Sequence, residues 1–141
     1  MTRVAGEAVD RAQRVGLEGD HHAVVASSLV KLRGTSDSEI MAAMLSTHEA
    51  ERIEDAVADV LPRLEGAFST VVMTKDAVVA FRDPAGLRPL ALGRLGDDPC
   101  VASESCAFDI IGAEFLREVL PGELVALGER GIDTRQVIES D

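Results

Sequence analysis

One stretch, FSTVVMTKDAVVAFR at residues 68–82, gives the first indication of the fold. Its first run, Phe68–Thr74, is apolar and rich in β-branched residues, which favour strands. A two-residue polar link, Lys75–Asp76, separates it from a second apolar run, Ala77–Arg82. Two such runs with a short link predict a β-hairpin. Because the first run is apolar on both faces, we expect its strand to be central and covered on both sides.

Downstream of this hairpin, short apolar runs alternate with turns that contain glycine or proline. Such alternation is typical of strands joined by tight connections. The predicted strands are Leu90–Arg94, Cys100–Ser103, Phe115–Leu120, Leu124–Leu127 and Ile132–Val137, with one short helix at Ser105–Ile111.

Upstream of the hairpin, residues 35–66 have a helical pattern. Ser36 and Glu39 are spaced as in a capping box, in which the serine side chain accepts a hydrogen bond from a backbone amide. A second predicted helix, from Glu51 to about Leu61, carries an amphipathic apolar stripe, and Pro62 bends or ends it. Helices followed by a strand-rich meander predict an α+β fold with largely antiparallel sheet.

The chain has 141 residues and a formal net charge of −11, from 14 basic and 25 acidic residues. A domain of this length buries a core without disulfides or a structural metal. The negative charge repels phosphate backbones, and the absence of Trp and Tyr removes base-stacking side chains, so we expect no nucleic-acid partner. No apolar run reaches the roughly 20 residues of a membrane span, and residues 1–19 lack the apolar core of a secretory signal. We therefore expect a cytoplasmic protein with no membrane partner.

Histidine and cysteine residues form few reactive arrangements in this sequence. Cys100 and Cys106 belong to no CxxC motif or Cys/His cluster, so no metal site is predicted. We expect both to be reduced and structural, with Cys106 buried, and the alternative is a reactive Cys106 at the start of the short helix. His21 and His22 are expected on the surface, and His48 at a helix end where its charge suits the helix dipole.

The most unusual stretch is RDPAGLRPL at residues 82–90, in which two arginines flank a rigid turn of proline and glycine. Two interpretations stay open. The first is a charged turn held by an internal Arg–carboxylate pair, with Arg82, Asp83 and Arg88 as structural residues, and the second is an anion-binding loop. Asp37 is either a first-turn carboxylate favoured by the helix dipole or a carboxylate aimed at an ammonium group.

Five segments, in matching order and spacing, resemble the glutaminase domain of the amidophosphoribosyltransferase family. They are Thr35–Glu39, Leu64–Ser69, Arg82–Leu90, Val101–Asp109 and Pro121–Glu123. The resemblance covers residues 35–138, and it divides the chain into a divergent segment, residues 1–34, and the C-terminal part of a class II glutamine amidotransferase domain, residues 35–141. It implies part of an N-terminal-nucleophile hydrolase fold, an α/β/β/α sandwich with mostly antiparallel sheets.

The resemblance also implies a mechanism. In that family an N-terminal cysteine attacks the carboxamide of glutamine, its own α-amino group acts as the base, and an Asn-Gly pair forms the oxyanion hole. A transferase domain that uses magnesium then receives the ammonia and adds it to phosphoribosyl pyrophosphate. Of the glutamine contacts, the resemblance assigns only Asp37, for the α-ammonium group, and it implies no cofactor or metal in this chain. The motif residues that it assigns to structure are Arg82, Asp83, Arg88, Ser103 and Glu104.

The sequence departs from that pattern at the catalytic positions. It begins Met1-Thr2 in place of Cys-Gly, contains no Asn, and ends at Asp141, about where the transferase domain would start. We therefore expect a truncated glutaminase segment without a catalytic residue, inactive alone and binding glutamine weakly at most. The alternatives are one subunit of a split amidotransferase, a non-enzymatic module that senses glutamine through Asp37, and a nucleophilic Thr2. Open sheet edges favour a complementing chain or self-association.

Overall fold

The computed structural model of the protein describes residues 37–139, with side chains from Ile40 onward. The chain divides into two compact units, the first ending at Gly66 and the second beginning at Ala67. The predictions for residues 1–34 and for the Ser36 cap lie outside the described residues.

The first unit contains helix α1, at Asp37–Ser46, and helix α2, at Ile53–Val60. A 3-10 turn at Leu61–Arg63 follows α2 directly and contains Pro62, so the helix ends where the proline cannot donate a hydrogen bond. The apolar stripe predicted for this segment is confirmed. Its buried members are Ala56, Val57, Val60, Leu61 and Leu64.

The second unit contains seven strands and one short helix within the described residues. They are β1 (Ser69–Met73), β2 (Ala77–Arg82), β3 (Ala91–Leu95), β4 (Asp98–Ala102), α3 (Cys106–Ile111), β5 (Glu114–Glu118), β6 (Glu123–Gly128) and β7 (Gly131–Gln136). One sheet has the strand order β1-β2-β6-β7 and the other the order β4-β3-β5. All neighbouring strands are antiparallel, which confirms the predicted α+β fold and the β1–β2 hairpin.

The two sheets of the second unit share one apolar core. It draws on β2 and β6 of the larger sheet, on β3 of the smaller sheet, and on the residues that flank β3 and β5. Its buried members are Ala80, Leu90, Leu92, Val119, Val125 and Leu127. Burial of this apolar surface is the main favourable term in the stability of the unit.

The prediction that the first strand is central is wrong. β1 lies at one edge of the larger sheet, and its Val71 and Met73 side chains are 51% and 78% exposed. The strands with long buried runs are instead β2 and β6. The apolar pattern of β1 indicates that this segment forms a strand, but it does not determine where the strand lies in the sheet. That position depends on β6, which pairs with the side of β2 that faces away from β1.

A second difference concerns the start of β4, which was predicted at Cys100. The strand begins at Asp98 and includes Pro99, directly after the tight turn at Gly96. Because β4 is an edge strand, the missing N–H of proline is compatible with the ladder.

Gly93 lies in β3, where helix α3 and strand β5 come close to the backbone of the smaller sheet. The β3–β5 ladder contains a register shift here. A Cβ atom on Gly93 would lie 2.7 Å from Cε1 of Phe108 and 2.8 Å from the carbonyl oxygen of Glu114. Only a glycine fits this close approach of helix α3 and strand β5 to the backbone of β3.

We expect Gly93→Ala to lower the free energy of unfolding by about 1–3 kcal/mol, because both the Phe108 ring and the Glu114 backbone must move. Gly128→Ala is the matched control, since a Cβ there would meet only the carbonyl oxygen of Asp76, at 3.4 Å. The control should change stability by less than about 0.5 kcal/mol. Urea unfolding measures both variants, and equal midpoints would contradict the packing argument.

Candidate functional site

β2 ends at Arg82, whose guanidinium is almost fully buried. Its Nε donates to the carbonyl oxygen of Arg88 at 2.6 Å, and its Nη2 donates to that of Gly86 at 2.7 Å. Its Nη1 donates to the carbonyl oxygen of Val119 at 2.8 Å and to Oε2 of Glu118 at 3.4 Å. One arginine side chain therefore joins the loop after β2 to the end of β5 and the residue after it.

Asp83 follows directly and has no exposed surface. Its Oδ1 accepts from the N–H of Leu87 and its Oδ2 from the N–H of Phe68, both at 3.3 Å. Its own N–H donates to the carbonyl oxygen of Phe68 at 2.9 Å. Its carbonyl oxygen accepts from the N–H groups of Gly86, at 3.0 Å, and Gly122, at 3.1 Å. Three separate segments thus meet at Asp83: the residue before β1, the loop after β2 and the turn before β6.

Two glycines allow these segments to approach each other. Gly86 has φ +62°, and a Cβ atom there would lie 2.7 Å from Cγ of Pro121. Gly122 has φ +71°, and a Cβ atom there would overlap the carbonyl oxygen of Ile138. Since a positive φ and a lack of space coincide at both positions, neither accepts another residue without strain.

The structure corrects two expectations about this loop. The side chain of Arg88 is exposed, and it is the backbone carbonyl of this residue that accepts the hydrogen bond from Arg82. Arg82 does not pair with Asp83; its carboxylate partner is Glu118, whose side chain is 68% exposed. Because Arg82 and Asp83 direct their polar atoms to protein groups, the geometry favours an internally held turn over an anion-binding loop.

A part-buried ion pair, which the sequence patterns did not predict, flanks the same turn before β6. Both Nη atoms of Arg117 donate to the carboxylate of Glu123 at 2.8 Å, and the N–H of Leu120 donates to the same carboxylate at 2.7 Å. This hydrogen bonding to Glu123 raises the pKa of Arg117, against an opposing effect of burial. A raised pKa means that the arginine contributes its stabilisation at every pH below its ordinary value. The glutamate of the Pro-Gly-Glu segment was the one sequence signal for this pair.

The Val101–Asp109 segment lies in the smaller sheet and in α3, where Ser103 and Glu104 occupy an exposed bend. The expectation that Cys106 is buried is wrong, because its side chain is exposed and its Sγ lies 3.5 Å from Oε2 of Glu104. In α3, the buried residue is Phe108, two positions further on. Cys100 is half-buried, and both cysteines are free.

Asp37 is the first residue of α1, and its side chain lies outside the described part of the chain. The glutamine contact assigned to it therefore stays a prediction. His48 comes two residues after the last residue of α1, and its Nδ1 accepts from the N–H of Ala50 at 3.1 Å. Its Nε2 lies 3.3 Å from Oδ2 of Asp59, so its charged partner is a carboxylate of α2.

Within residues 37–139, no three His, Cys, Asp or Glu side chains are grouped so that they could hold a metal ion. The helices of this range are all too short or too polar to cross a membrane.

We expect Arg82→Lys to lower the free energy of unfolding by about 1–3 kcal/mol, since an ammonium group cannot replace donors that diverge toward three carbonyl oxygens. Arg88→Lys is the matched control, with the same change in the same loop at an exposed side chain, and should have an effect below about 0.5 kcal/mol. Chemical denaturation measures both. If the two variants unfold alike, the buried guanidinium does not hold this loop.

Comparison with protein families gives a match to the glutamine amidotransferase domain over residues 20–109. The match begins inside the segment of residues 1–34. Among curated proteins, the amidophosphoribosyltransferase of Bacillus subtilis (strain 168) is 38% identical over 102 residues, which are 72% of this chain and 21% of the relative. That of Mycobacterium tuberculosis (strain ATCC 25618 / H37Rv) is 46% identical over 99 residues, which are 70% of this chain and 19% of the relative. The chain thus spans about a fifth of the length of these relatives.

Two solved structures have a similar fold. Glutamine phosphoribosylpyrophosphate amidotransferase from B. subtilis, complexed with ADP and GMP, has a TM-score of 0.74 at 30% identity, covering 95% of this chain and 27% of that chain. The structure of the allosteric regulatory enzyme of purine biosynthesis has a TM-score of 0.74 at 32% identity, covering 94% of this chain and 26% of that chain. With a family match over more than half of its residues and a fold similar to that of these two structures, the chain belongs to the family of glutamine amidotransferase domains.

Proposed function

We propose that this chain forms a scaffold part of a glutamine amidotransferase domain of the amidophosphoribosyltransferase kind. In that function, ammonia from glutamine is added to phosphoribosyl pyrophosphate at the start of purine synthesis. The observation that carries the proposal is the family match over residues 20–109, which the fold similarity to a glutamine phosphoribosylpyrophosphate amidotransferase supports.

The role proposed for the Arg82–Leu90 loop is to hold the second unit together. Nε, Nη1 and Nη2 of Arg82 all donate to protein oxygens, and both carboxylate oxygens of Asp83 accept from backbone N–H groups. Groups already engaged in this way would have to break protein hydrogen bonds in order to bind a substrate. For Ser103 and Glu104 we propose a more local structural role, since they form the exposed bend that connects β4 to α3.

The covalent step needs groups that these 141 residues do not contain. A class II amidotransferase uses the free α-amino group of its cysteine nucleophile as the base, but Cys100 and Cys106 are internal. Their backbone nitrogens are peptide amides, which do not accept protons at neutral pH. The chain also contains no Asn to serve as the oxyanion donor. Loss of the nucleophile and of an oxyanion donor each removes orders of magnitude in rate.

The proposed function therefore requires a cysteine nucleophile and oxyanion donors from sequence outside these 141 residues, in the same polypeptide or in a second one. We propose the cytoplasm as its location, because both cysteines are free thiols and such thiols persist in a reducing compartment.

We expect the purified 141-residue chain to release no ammonia from glutamine above background. A coupled glutamate dehydrogenase assay measures the ammonia, with B. subtilis amidophosphoribosyltransferase as the positive control. A Cys106→Ser variant should give the same background rate, because the exposed thiol has no assigned role.

Turnover that is lost in Thr2→Ala would contradict this expectation, since it would identify an N-terminal threonine as the nucleophile. Turnover that is lost in Cys106→Ser would also contradict the expectation of no ammonia release. It would show that an internal thiol attacks glutamine without an α-amino group as the base.

We expect the chain to bind glutamine no more tightly than about 1 mM. A carboxylate such as Asp37 holds an ammonium group with about 1.5–3 kcal/mol, whereas a millimolar Kd already requires about 4 kcal/mol. Isothermal titration calorimetry with glutamine measures this, on the chain itself and on Asp37→Asn.

Asp97→Asn is the matched control, because Asp97 is an exposed carboxylate in the turn between β3 and β4. Micromolar binding that Asp37→Asn abolishes and Asp97→Asn preserves would replace the scaffold proposal with a glutamine-sensing module.

A further inference from the structure

The two sheets of the second unit have four edge strands, and these differ in their protection against strand pairing. Natural proteins protect sheet edges with charged residues and proline. β4 contains Asp98 and Pro99, β7 contains Asp133 and Arg135, and β5 contains three charged residues. Among these four strands of the described sheets, β1 alone has neither a charge nor a proline in its sequence STVVM.

The backbone of β1 also presents hydrogen-bonding groups at this open edge. The N–H of Asp83 donates to the carbonyl of Phe68, and the N–H of Thr74 donates to the carbonyl of Ala77, at the two ends of the β1–β2 ladder. Because hydrogen-bonded pairs alternate along an antiparallel ladder, Thr70 and Val72 bond to β2. The N–H and C=O groups of Ser69, Val71 and Met73 therefore point away from β2.

We propose that the β1 edge pairs with the β1 edge of a second copy of this chain, as an antiparallel two-fold dimer centred on Val71. In this register Val71 faces Val71 of the second copy, and Ser69 faces its Met73. Each of these opposed pairs is of the hydrogen-bonded kind, so every outward N–H group of one copy meets an outward C=O group of the other. The edge is thus complementary to itself, as a two-fold interface requires.

The side chains on this edge have the same complementarity. Val71 and Met73 are 51% and 78% exposed and lie on one face of the strand, so pairing places them beside their counterparts and removes apolar surface from water. No charged residue of β1 opposes another in this register.

The size and charge of the chain set the strength of this dimer. A pair of five-residue strands buries less than the roughly 1,200 Å² of a stable interface, so the dimer is weak and depends on concentration. Each copy carries a net charge of −11, and the mutual repulsion is screened by salt. The dimer fraction therefore rises with ionic strength.

The test is sedimentation equilibrium of the full 141-residue chain from about 10 μM to 1 mM, in low salt and in about 0.5 M sodium chloride. We expect a monomer–dimer equilibrium that shifts toward dimer at the higher salt. Val71→Lys should weaken it by about tenfold or more, because two lysines then face each other across the pair. Val71→Lys also makes the net charge of each copy less negative, and that change by itself reduces repulsion and favours association. A weaker dimer would therefore reflect the strand contact and not the net charge.

Ile132→Lys is the matched control, since Ile132 is an exposed aliphatic residue on β7 at the opposite edge of the same sheet. It makes the same change in net charge and should leave the dimer at least as strong as in the unchanged chain. Val71→Pro is a second variant. It removes the N–H groups of both central hydrogen bonds, while those that Thr70 and Val72 make to β2 remain. Circular dichroism of each variant checks that it is folded.

Amide hydrogen exchange followed by NMR locates the contact. The amides of Ser69, Val71 and Met73 should exchange fast at low concentration and become protected at high concentration, while those of Thr70 and Val72 stay protected throughout. A monomer at all concentrations overturns the proposal, and so does a dimer that Ile132→Lys dissociates and Val71→Lys does not. Protection of the three outward amides at every concentration also overturns it, because another part of the same chain would then cover the edge.

Discussion

The carboxylate of Asp83 is buried without any exposed surface, and the arrangement of the second unit depends on how that charge is accommodated. An unpaired buried charge would be strongly unfavourable, so both oxygens must receive hydrogen bonds. The donors are backbone N–H groups of Phe68 and Leu87, and the backbone of Asp83 also bonds to Gly122. These segments can satisfy Asp83 only when they occupy their positions together. The residue before the first strand and the loop after β2 are therefore linked through the side chain of Asp83, and the turn before β6 is linked to them through its backbone carbonyl.

Arg82 adds a second constraint, which links the larger sheet to the smaller one. Its guanidinium reaches the carbonyl of Val119 just after β5, a strand of the smaller sheet, while its backbone belongs to β2 in the larger one. The apolar core between the sheets supplies most of the favourable free energy, but it is not directional. Hydrogen bonds from a rigid, planar guanidinium are directional, so they specify how the loop and the strand end meet. The pair of Arg117 and Glu123 adds a second such link at the same turn.

The buried charged side chains of the Arg82–Leu90 loop hold the fold together and are not free to bind a ligand. The two arginines of the Arg82–Leu90 loop would suit an anion site by composition, yet Arg82 is directed inward, and of the charged side chains in the loop only that of Arg88 is exposed. Strand β1 is instead an exposed sheet edge without charged residues. The other edge strands of the described sheets, β4, β5 and β7, all contain charged residues. A net charge of −11 opposes association through such an edge, because copies of like charge repel each other.

Local patterns in the sequence were sufficient for the elements of the fold. The β-branched runs around Lys75–Asp76 predicted the hairpin, the apolar stripe before Pro62 predicted α2, and helices followed by strands predicted the α+β class. These features depend on residues near each other in the chain, where periodicity and turn chemistry act directly. The ordered segments around Arg82–Leu90 and Pro121–Glu123 likewise indicated the glutamine amidotransferase family, because motif order is itself a property of sequence.

Tertiary structure alone decided which strand is central, which charges are buried and which atoms of a motif residue act. The apolar run of β1 is compatible with a central or an edge strand, and the pairing of β6 with β2 settled the matter. Arg88 accepts a hydrogen bond through its backbone carbonyl, while its charged side chain is exposed. The side chain of Cys106 is exposed, and Arg117 forms an ion pair with Glu123 across a turn. Each of these outcomes depends on contacts between residues distant in sequence or on the direction in which a side chain points. Neither the spacing nor the composition of the sequence encodes those contacts. The same residues satisfy their secondary-structure preferences whether a strand is central or at an edge, and whether a side chain is buried or exposed.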